Sequence, residues 1–179
     1  MEHIAVLVPL KRFDLAKNRL RRGGESNVTA LANQLATAVI EHLAPHHVIV
    51  ASESREVSEF ARSLGVEVFE SQARDLNDAV QSAYAALANR FEQLMVVHGD
   101  LKHPAGLGAF QPEDAVTIIT DHHQRGTNIL ALPTGVDFRF SYGPDSRRHH
   151  ELEAKRLGLT CIVVTDSPWA YDVDDPQDL

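Results

Sequence analysis

Four stretches, well separated along the chain, carry residue types suited to phosphate and metal chemistry. The first is PLKRFDLAKNRL at 9–20, where Lys11, Lys17 and Arg19 concentrate positive charge in an otherwise acidic protein. A triphosphate needs such cations to hold and neutralise it. A solvated basic loop would explain the charge alone, but the stretch follows an apolar run directly. It has neither G-x-x-x-x-G-K-[ST] nor G-x-G-x-x-G, so it is neither a P-loop nor a dinucleotide fingerprint. The second is Gly99-Asp100, after the run LMVVH. A carboxylate just past a strand can point into a cleft and ligate Mg²⁺ together with water and phosphate oxygens, although Gly-Asp is also ordinary turn chemistry. The third is DVDD at 172–175. In an extended chain Asp172 and Asp174 face the same side, where they repel unless solvated or bound to a cation. With Asp100 they could form a two-metal cluster; a frayed acidic tail is the competing explanation.

The fourth group is RGTN at 125–128 with GPDS at 143–146. Asp145 or Ser146 would cap the helix that follows. A Gly-Pro turn into a helix start exposes backbone N–H groups and the positive end of the dipole, which suits a phosphate or carboxylate. Arg147 and Arg148 fall in the first turn, against the dipole, a placement easier to understand with an anion nearby. The ten histidines include three adjacent doublets, and neighbours in sequence point different ways on a helix or a strand. They are expected mostly on surfaces and loops, since no H-E-x-x-H and no Cys/His spacing accompanies them. No G-x-S-x-G elbow occurs and the one cysteine, Cys161, lies mid-strand, so a serine or cysteine hydrolase is not supported.

The elements that must position these groups alternate. Apolar runs predict strands at 4–8, 47–50, 66–69, 94–97, 116–119, 128–132, 138–140 and 160–164, with a short last one at 170–173. Helical spacing predicts helices at 28–43, 57–64, 75–91 and 145–157, two of them stopped by Gly65 and Gly158. This order implies an α/β fold with a mainly parallel mixed sheet covered by helices on both faces. Residues 128–140 break the alternation and predict an inserted hairpin around Pro133-Thr134-Gly135. Ligands of such sheets sit beyond the carboxyl ends of the strands, where the polar groups above fall.

The 179 residues suit one domain with one core. No apolar run approaches a membrane span, and the N-terminus lacks the basic start of a signal peptide. One cysteine fits a reducing cytoplasm. A net charge of −8 argues against nonspecific nucleic-acid binding, but leaves room for a nucleotide site built from a few local cations.

Taken together, VPLKRFDLAKNRL at 8–20, DLNDAV at 75–80, VVHGDL at 96–101, RGTNIL at 125–130, FRFSYGPDS at 138–146 with His150 after it, and DVDDPQDL at 172–179 resemble the guanylyltransferases of coenzyme F420 biosynthesis. These act on 2-phospho-L-lactate or phosphoenolpyruvate, and the resemblance runs over essentially the whole chain. It implies a nucleotide-diphospho-sugar-transferase (GT-A-like, Rossmann-related) fold, GTP as co-substrate and Mg²⁺ as metal. The implied reaction joins GMP to the phosphate of a three-carbon acid and releases pyrophosphate; phospholactate, phosphoenolpyruvate and 3-phosphoglycerate all stay open as acceptors. By resemblance Asp100, Asp172 and Asp174 hold the metal, and Thr127, Gly143 and Ser146 match positions that hold the phosphorylated acid. Lys11, Lys17 and Arg19 would neutralise phosphate charge, which makes Lys17 and Asp100 the catalytic pair. Relatives often pair, so a homodimer is compatible with the resemblance. Alternatives at this point are another nucleotidyltransferase of the same fold using a sugar phosphate or the molybdenum cofactor, a degenerate nucleotide-binding module, and glycosyl transfer.

Overall fold

Seven short strands line up as one sheet in a computed structural model that describes residues 2–15, 17, 20, 22, 24, 27–73 and 75–179. They are β1 (Glu2–Pro9), β2 (His47–Ser52), β3 (Glu67–Glu70), β4 (Phe91–Val97), β5 (Val116–Thr120), β6 (Thr127–Pro133) and β7 (Cys161–Val164). Their spatial order is β3-β2-β1-β4-β6-β5-β7. Every neighbouring pair is parallel except β4 with β6 and β5 with β6, so β6 alone runs backwards. Among the described residues four helices cover the sheet: α1 (Val28–His42), α2 (Arg55–Ser63), α3 (Leu76–Leu87) and α4 (Ser146–Arg156).

Alternation of side chains along the central strands sets the two cores. Val6 and Val8 of β1, with Met95 and Val97 of β4, pack under Ala36 and Val39 of α1 and Val57 and Ala61 of α2. Ala5 and Leu7, with Leu94 and Val96, pack under Val80, Ala83 and Leu87 of α3 and Ala154 of α4. Both faces of β1 are therefore buried, which is why its sequence is continuously apolar rather than alternating. Two helix starts are fixed by side chains. Ser54 accepts the Val57 N–H ahead of α2, and Asp75 accepts the Asp78 N–H ahead of α3. Among the described residues no helix is long and apolar enough to cross a membrane.

The expected hairpin at 128–140 does not form. β6 instead inserts between β4 and β5 and pairs antiparallel with both. Residues 138–140 make no strand. Their backbone is satisfied by a side chain: the Gln81 amide donates to the Phe138 carbonyl at 3.0 Å and accepts the Phe140 N–H at 3.3 Å. One turn earlier on α3, Asn77 donates to the Tyr142 carbonyl at 3.1 Å and accepts its N–H at 2.6 Å. Two amides at i and i+4 thus stand in for a strand edge, and Phe138 and Phe140 turn into the core. The helix expected over 75–91 ends at Leu87, because Phe91 already opens β4 with its ring fully buried. The strand expected at 170–173 is a 3₁₀ turn, Pro168–Ala170, followed by a single bridge from Asp172 to Leu101.

The reversed strand decides where the cleft lies. The carboxyl ends of β1, β4, β5 and β7 reach one edge of the sheet, and the amino end of β6 reaches that same edge. Thr127 and Asn128 therefore stand beside the loops that leave β1 and β4.

Candidate active site

A cavity of about 980 Å³ opens at this edge, lined by residues from the β1 loop, the end of β4, the start of β6, the 142–146 turn and the 172–174 segment. Its size is in the range of small-molecule and cofactor sites. Lys11, Lys17, Asp100, Thr127, Gly143, Ser146, Asp172 and Asp174 all line it, so the groups singled out in sequence converge on one space. Arg19 lies outside the described residues.

Three carboxylates meet at one corner. Asp100, Asp172 and Asp174 each offer an oxygen within 4.8 Å of the others. Backbone pairing holds them there: Lys102 N–H donates to the Tyr171 carbonyl at 2.8 Å and Val173 N–H to the Asp100 carbonyl at 3.1 Å. Val173 is buried against Leu20 and Val28, so its neighbours Asp172 and Asp174 face the cavity, as alternation requires. Asp178 then fixes the turn by accepting the N–H groups of Asp174 and Asp175 at 2.8 and 2.7 Å. A Cβ at Gly99 would stand 2.4 Å from Leu10 Cδ2, so a larger residue there would need that side chain to shift.

Lys17 is the cation of this corner. Its backbone adopts a left-handed conformation (φ 58) and its side chain is only 6% exposed. The ammonium donates to Asp100 Oδ2 and, at 3.3 Å, to Asp174 Oδ1. Burial opposes its charge, yet the two carboxylates outweigh that and hold the ammonium above its usual range. Asp172 shows the opposite balance. Burial, then repulsion from Asp100 and Asp174, push its carboxyl up to about 7. One ammonium among three carboxylates leaves the corner short of positive charge, and Asp100 Oδ1 is buried with no hydrogen-bond partner among the described residues. An all-oxygen donor set of this spacing suits a hard divalent cation such as Mg²⁺.

A second corner is built from hydroxyls. His150 is buried, and its Nε2 accepts the Ser141 N–H at 3.1 Å. The proton must then sit on Nδ1, which donates to Thr127 Oγ1 at 3.0 Å. Ser146 Oγ also donates to Thr127 Oγ1, at 3.2 Å. Thr127 accepts twice and keeps its own proton to donate, which suits an anion. Asp145 occupies the N-cap position of α4 but does not cap it. Its carboxylate turns to Arg125 at 2.8 Å, and Ser146 is spent on Thr127, so the expected side-chain cap is absent. Backbone carbonyls take its place at the helix start: the Ser146 N–H donates to Gly143 at 3.2 Å and the Arg147 N–H to Arg125 at 3.1 Å. Among the described residues, the three non-glycine positions with positive φ are Lys17, Gln124 and Asp145, all at or beside this cavity. Strain of this kind, about 1–3 kcal/mol each, collects at functional sites.

Two histidines depart from the general expectation of surface and loop positions: His150 is buried and His98 is half-buried in the site. His98, at the end of β4, lines the cavity, and burial pushes its imidazole below the usual range. His150 is pushed down to about 4, chiefly by burial. Its stability contribution has a definite sign. The unfolded chain takes up a proton near pH 6.5 and the folded protein only near 4, so stability is lost as pH falls between those values. The loss is roughly 3 kcal/mol. Thermal unfolding from pH 7 to 4 is expected to show this fall, and histidine NMR to show the His150 ring staying neutral down to about pH 5. A His150 ring titrating near 6.5 would contradict the buried acceptor role of Nε2. No spacing rule marks His98, His150 or Tyr142 in the sequence, since each is placed by tertiary packing.

The sequence profile of the family described as "Guanylyl transferase CofC like" matches residues 4–179. A phosphoenolpyruvate guanylyltransferase from Chloroflexus aggregans is 29% identical, the match covering 98% of this chain and 95% of the relative. A 3-phospho-D-glycerate guanylyltransferase from Colwellia psychrerythraea is 25% identical, with 97% and 88% covered. Among solved structures, a nucleotidyl transferase from Methanothermobacter shares the fold with a TM-score of 0.69 at 13% identity, covering 99% of this chain and 94% of that one. The matched residues span every strand and both corners of the cavity, and the chain belongs to the guanylyl transferase CofC-like family.

Proposed function

We propose that this protein transfers GMP from GTP to the phosphate of a three-carbon phosphorylated acid, with release of pyrophosphate, as a step of coenzyme F420 biosynthesis. The single observation that carries the reading is the meeting of Lys17 with Asp100, Asp172 and Asp174 in the same cavity as the Thr127–Ser146 hydroxyl corner. The first corner suits polyphosphate and a cation; the second suits the carboxylate of a small acid. The relatives named above act on such acids.

A phosphate oxygen of the acceptor attacks the α-phosphorus of GTP, and the bond from that phosphorus to the bridging oxygen of pyrophosphate breaks. The attacking phosphate is already an anion at neutral pH, so no general base is needed. The obstacle is repulsion between two anions and the charge gathering on pyrophosphate. Asp100, Asp172 and Asp174 would hold Mg²⁺, which supplies charge neutralisation and orientation for the phosphates. Lys11 and Lys17, with Arg19 from the same stretch, neutralise the triphosphate. Thr127, the Gly143 backbone and Ser146 fix the acceptor so that its phosphate lies in line with the α-phosphorus.

The test is incubation of the protein with GTP, Mg²⁺ and, separately, phosphoenolpyruvate, 2-phospho-L-lactate and 3-phosphoglycerate, followed by mass measurement. A product heavier than the acid by one GMP residue, matched by pyrophosphate, is the expected result. Absence of pyrophosphate with all three acids would defeat the reading.

A further inference from the structure

The hydroxyl corner has no full positive charge among the groups that form it. Thr127 and Ser146 are neutral, and burial keeps the His150 ring neutral above about pH 4. A carboxylate that leaves water for neutral hydroxyls alone is poorly stabilised unless a cation meets it. Among the described residues, the lysine and arginine side chains that line the cavity are Lys11, Lys17 and Arg125. Lys11 and Lys17 both come from the β1 loop, and Lys17 is committed to Asp100 and Asp174. Arg125 comes from the other side of the chain's organisation, the loop that enters β6.

Arg125 is tied to the hydroxyl corner through the same two segments that make it. It lies two residues before Thr127, and Asp145 lies one residue before Ser146. These segments pair twice. Ser146 Oγ donates to Thr127 Oγ1 at 3.2 Å, and Arg125 Nε donates to Asp145 Oδ1 at 2.8 Å. The backbone of Arg125 is fixed on both sides. Asp121 Oδ1 accepts the N–H groups of Arg125 and Gly126, both at 2.8 Å, and the Arg125 carbonyl accepts the Arg147 N–H at 3.1 Å. Asp145 engages only Nε. The Nη groups make no hydrogen bond among the described residues, and the side chain is 70% exposed. An exposed ion pair of this kind holds weakly, whereas the planar Nη fork matches a carboxylate with two parallel bonds. Asp145 thus steadies the guanidinium and leaves its fork unused.

We propose that Arg125 binds the carboxylate of the acceptor through its Nη groups, beside the Thr127 hydroxyl, and so selects phosphorylated acids over neutral molecules of the same shape. The guanidinium then stands between two carboxylates, that of Asp145 on Nε and that of the acceptor on the fork. This inference rests on the proposed transfer reaction and adds the residue that reads the acid group.

The test compares two acceptors, GTP and Mg²⁺ being present in both. One is whichever of phosphoenolpyruvate, 2-phospho-L-lactate and 3-phosphoglycerate turns over best; the other is the same molecule with its carboxylate replaced by the neutral carboxamide. The wild type is expected to favour the acid in kcat/KM by at least about 30-fold, the worth of one charge-assisted bond. Arg125→Met should cut kcat/KM for the acid by about 30-fold, mainly through KM for the acid, and bring the preference to within about threefold of unity. Arg125→Lys, which keeps the charge and loses the fork, should recover part of it. KM for GTP should hold within about twofold in both variants. Both should melt within about 3 °C of the wild type, because the pair is exposed and the backbone contacts of residue 125 survive. Equal losses with acid and amide would assign Arg125 a purely structural role and overturn the inference. So would a loss in KM for GTP, which would place the guanidinium on the nucleotide, or an acid preference that Arg125→Met leaves intact. In each of these cases the transfer reaction itself still stands. If no acid yields pyrophosphate with the wild type, the transfer reaction falls and the inference goes with it.

Discussion

Asp100→Ala is expected to lower nucleotidyl transfer by about 10³-fold or more while leaving the protein folded. The argument is one of charge. A bound divalent cation is worth several kcal/mol to a reaction that builds negative charge, and about 1.4 kcal/mol is tenfold in rate. Of the three proposed ligands Asp100 is best placed to matter, because one oxygen meets Lys17 and the other is buried with no partner among the described residues. The fold should tolerate the loss. Lys17 keeps Asp174 at 3.3 Å, so no buried ammonium is stranded. Asp172, whose carboxyl is raised partly by the Asp100 charge, is relieved of one repulsive neighbour. The strand end itself is held by backbone contacts, including Val173 N–H to the Asp100 carbonyl, which alanine preserves. Pyrophosphate release and a thermal melt on the same preparation test both halves. Turnover near that of the wild type would remove Asp100 from the metal set.

Much of the architecture was readable because burial on both sheet faces writes itself as continuous apolar runs, as in IAVLV of β1 and LMVV of β4. The acidic pair at 172 and 174 was readable from period-two alternation, and it holds although only one bridge, Asp172 to Leu101, marks the segment as extended. What escaped has a common cause. The direction of β6 is not encoded in TNILALP, whose all-buried pattern is the same for a parallel strand, an antiparallel strand or half a hairpin. Phe138 and Phe140 alternate like a strand, but their backbone partner is the Gln81 amide on α3, more than fifty residues away, and the next alternate residue, Tyr142, is held by Asn77 on the same helix. The hydroxyl corner was half visible. Thr127 and Ser146 stood out by type, while the tautomer of His150 that orients Thr127 depends on the Ser141 N–H and is a property of the folded turn. The expected cap at Asp145 failed because Arg125 competes for the carboxylate, a contact twenty residues apart that local capping rules do not weigh.

Lys17→Met should move two measurements in opposite directions, which separates a working lysine from a structural one. In the wild type the ammonium pairs with Asp100 and Asp174, two of the oxygens proposed to hold the cation. A divalent ion must share those carboxylates with it. Two unit charges about 4 Å apart interact by roughly 4 kcal/mol at an effective dielectric near 20, so removing the ammonium should tighten Mg²⁺ or Mn²⁺ binding by at least about tenfold. Transfer should nevertheless fall by about 10²–10³-fold, the usual loss when one preorganised positive or donor group is taken from a transition state that gathers negative charge. With the side chain only 6% exposed, its loss also leaves three carboxylates within 4.8 Å of one another with no counter-charge among the described residues. The variant should therefore melt lower in a chelator and recover when Mg²⁺ is added, whereas the wild type responds less. Calorimetric titration with Mn²⁺, melting with and without Mg²⁺, and pyrophosphate release form the test. Weaker metal binding together with lost transfer would mean that Lys17 shapes the corner without competing for it. Unchanged transfer would mean that the phosphate charge is carried by Lys11 and other cations of the loop.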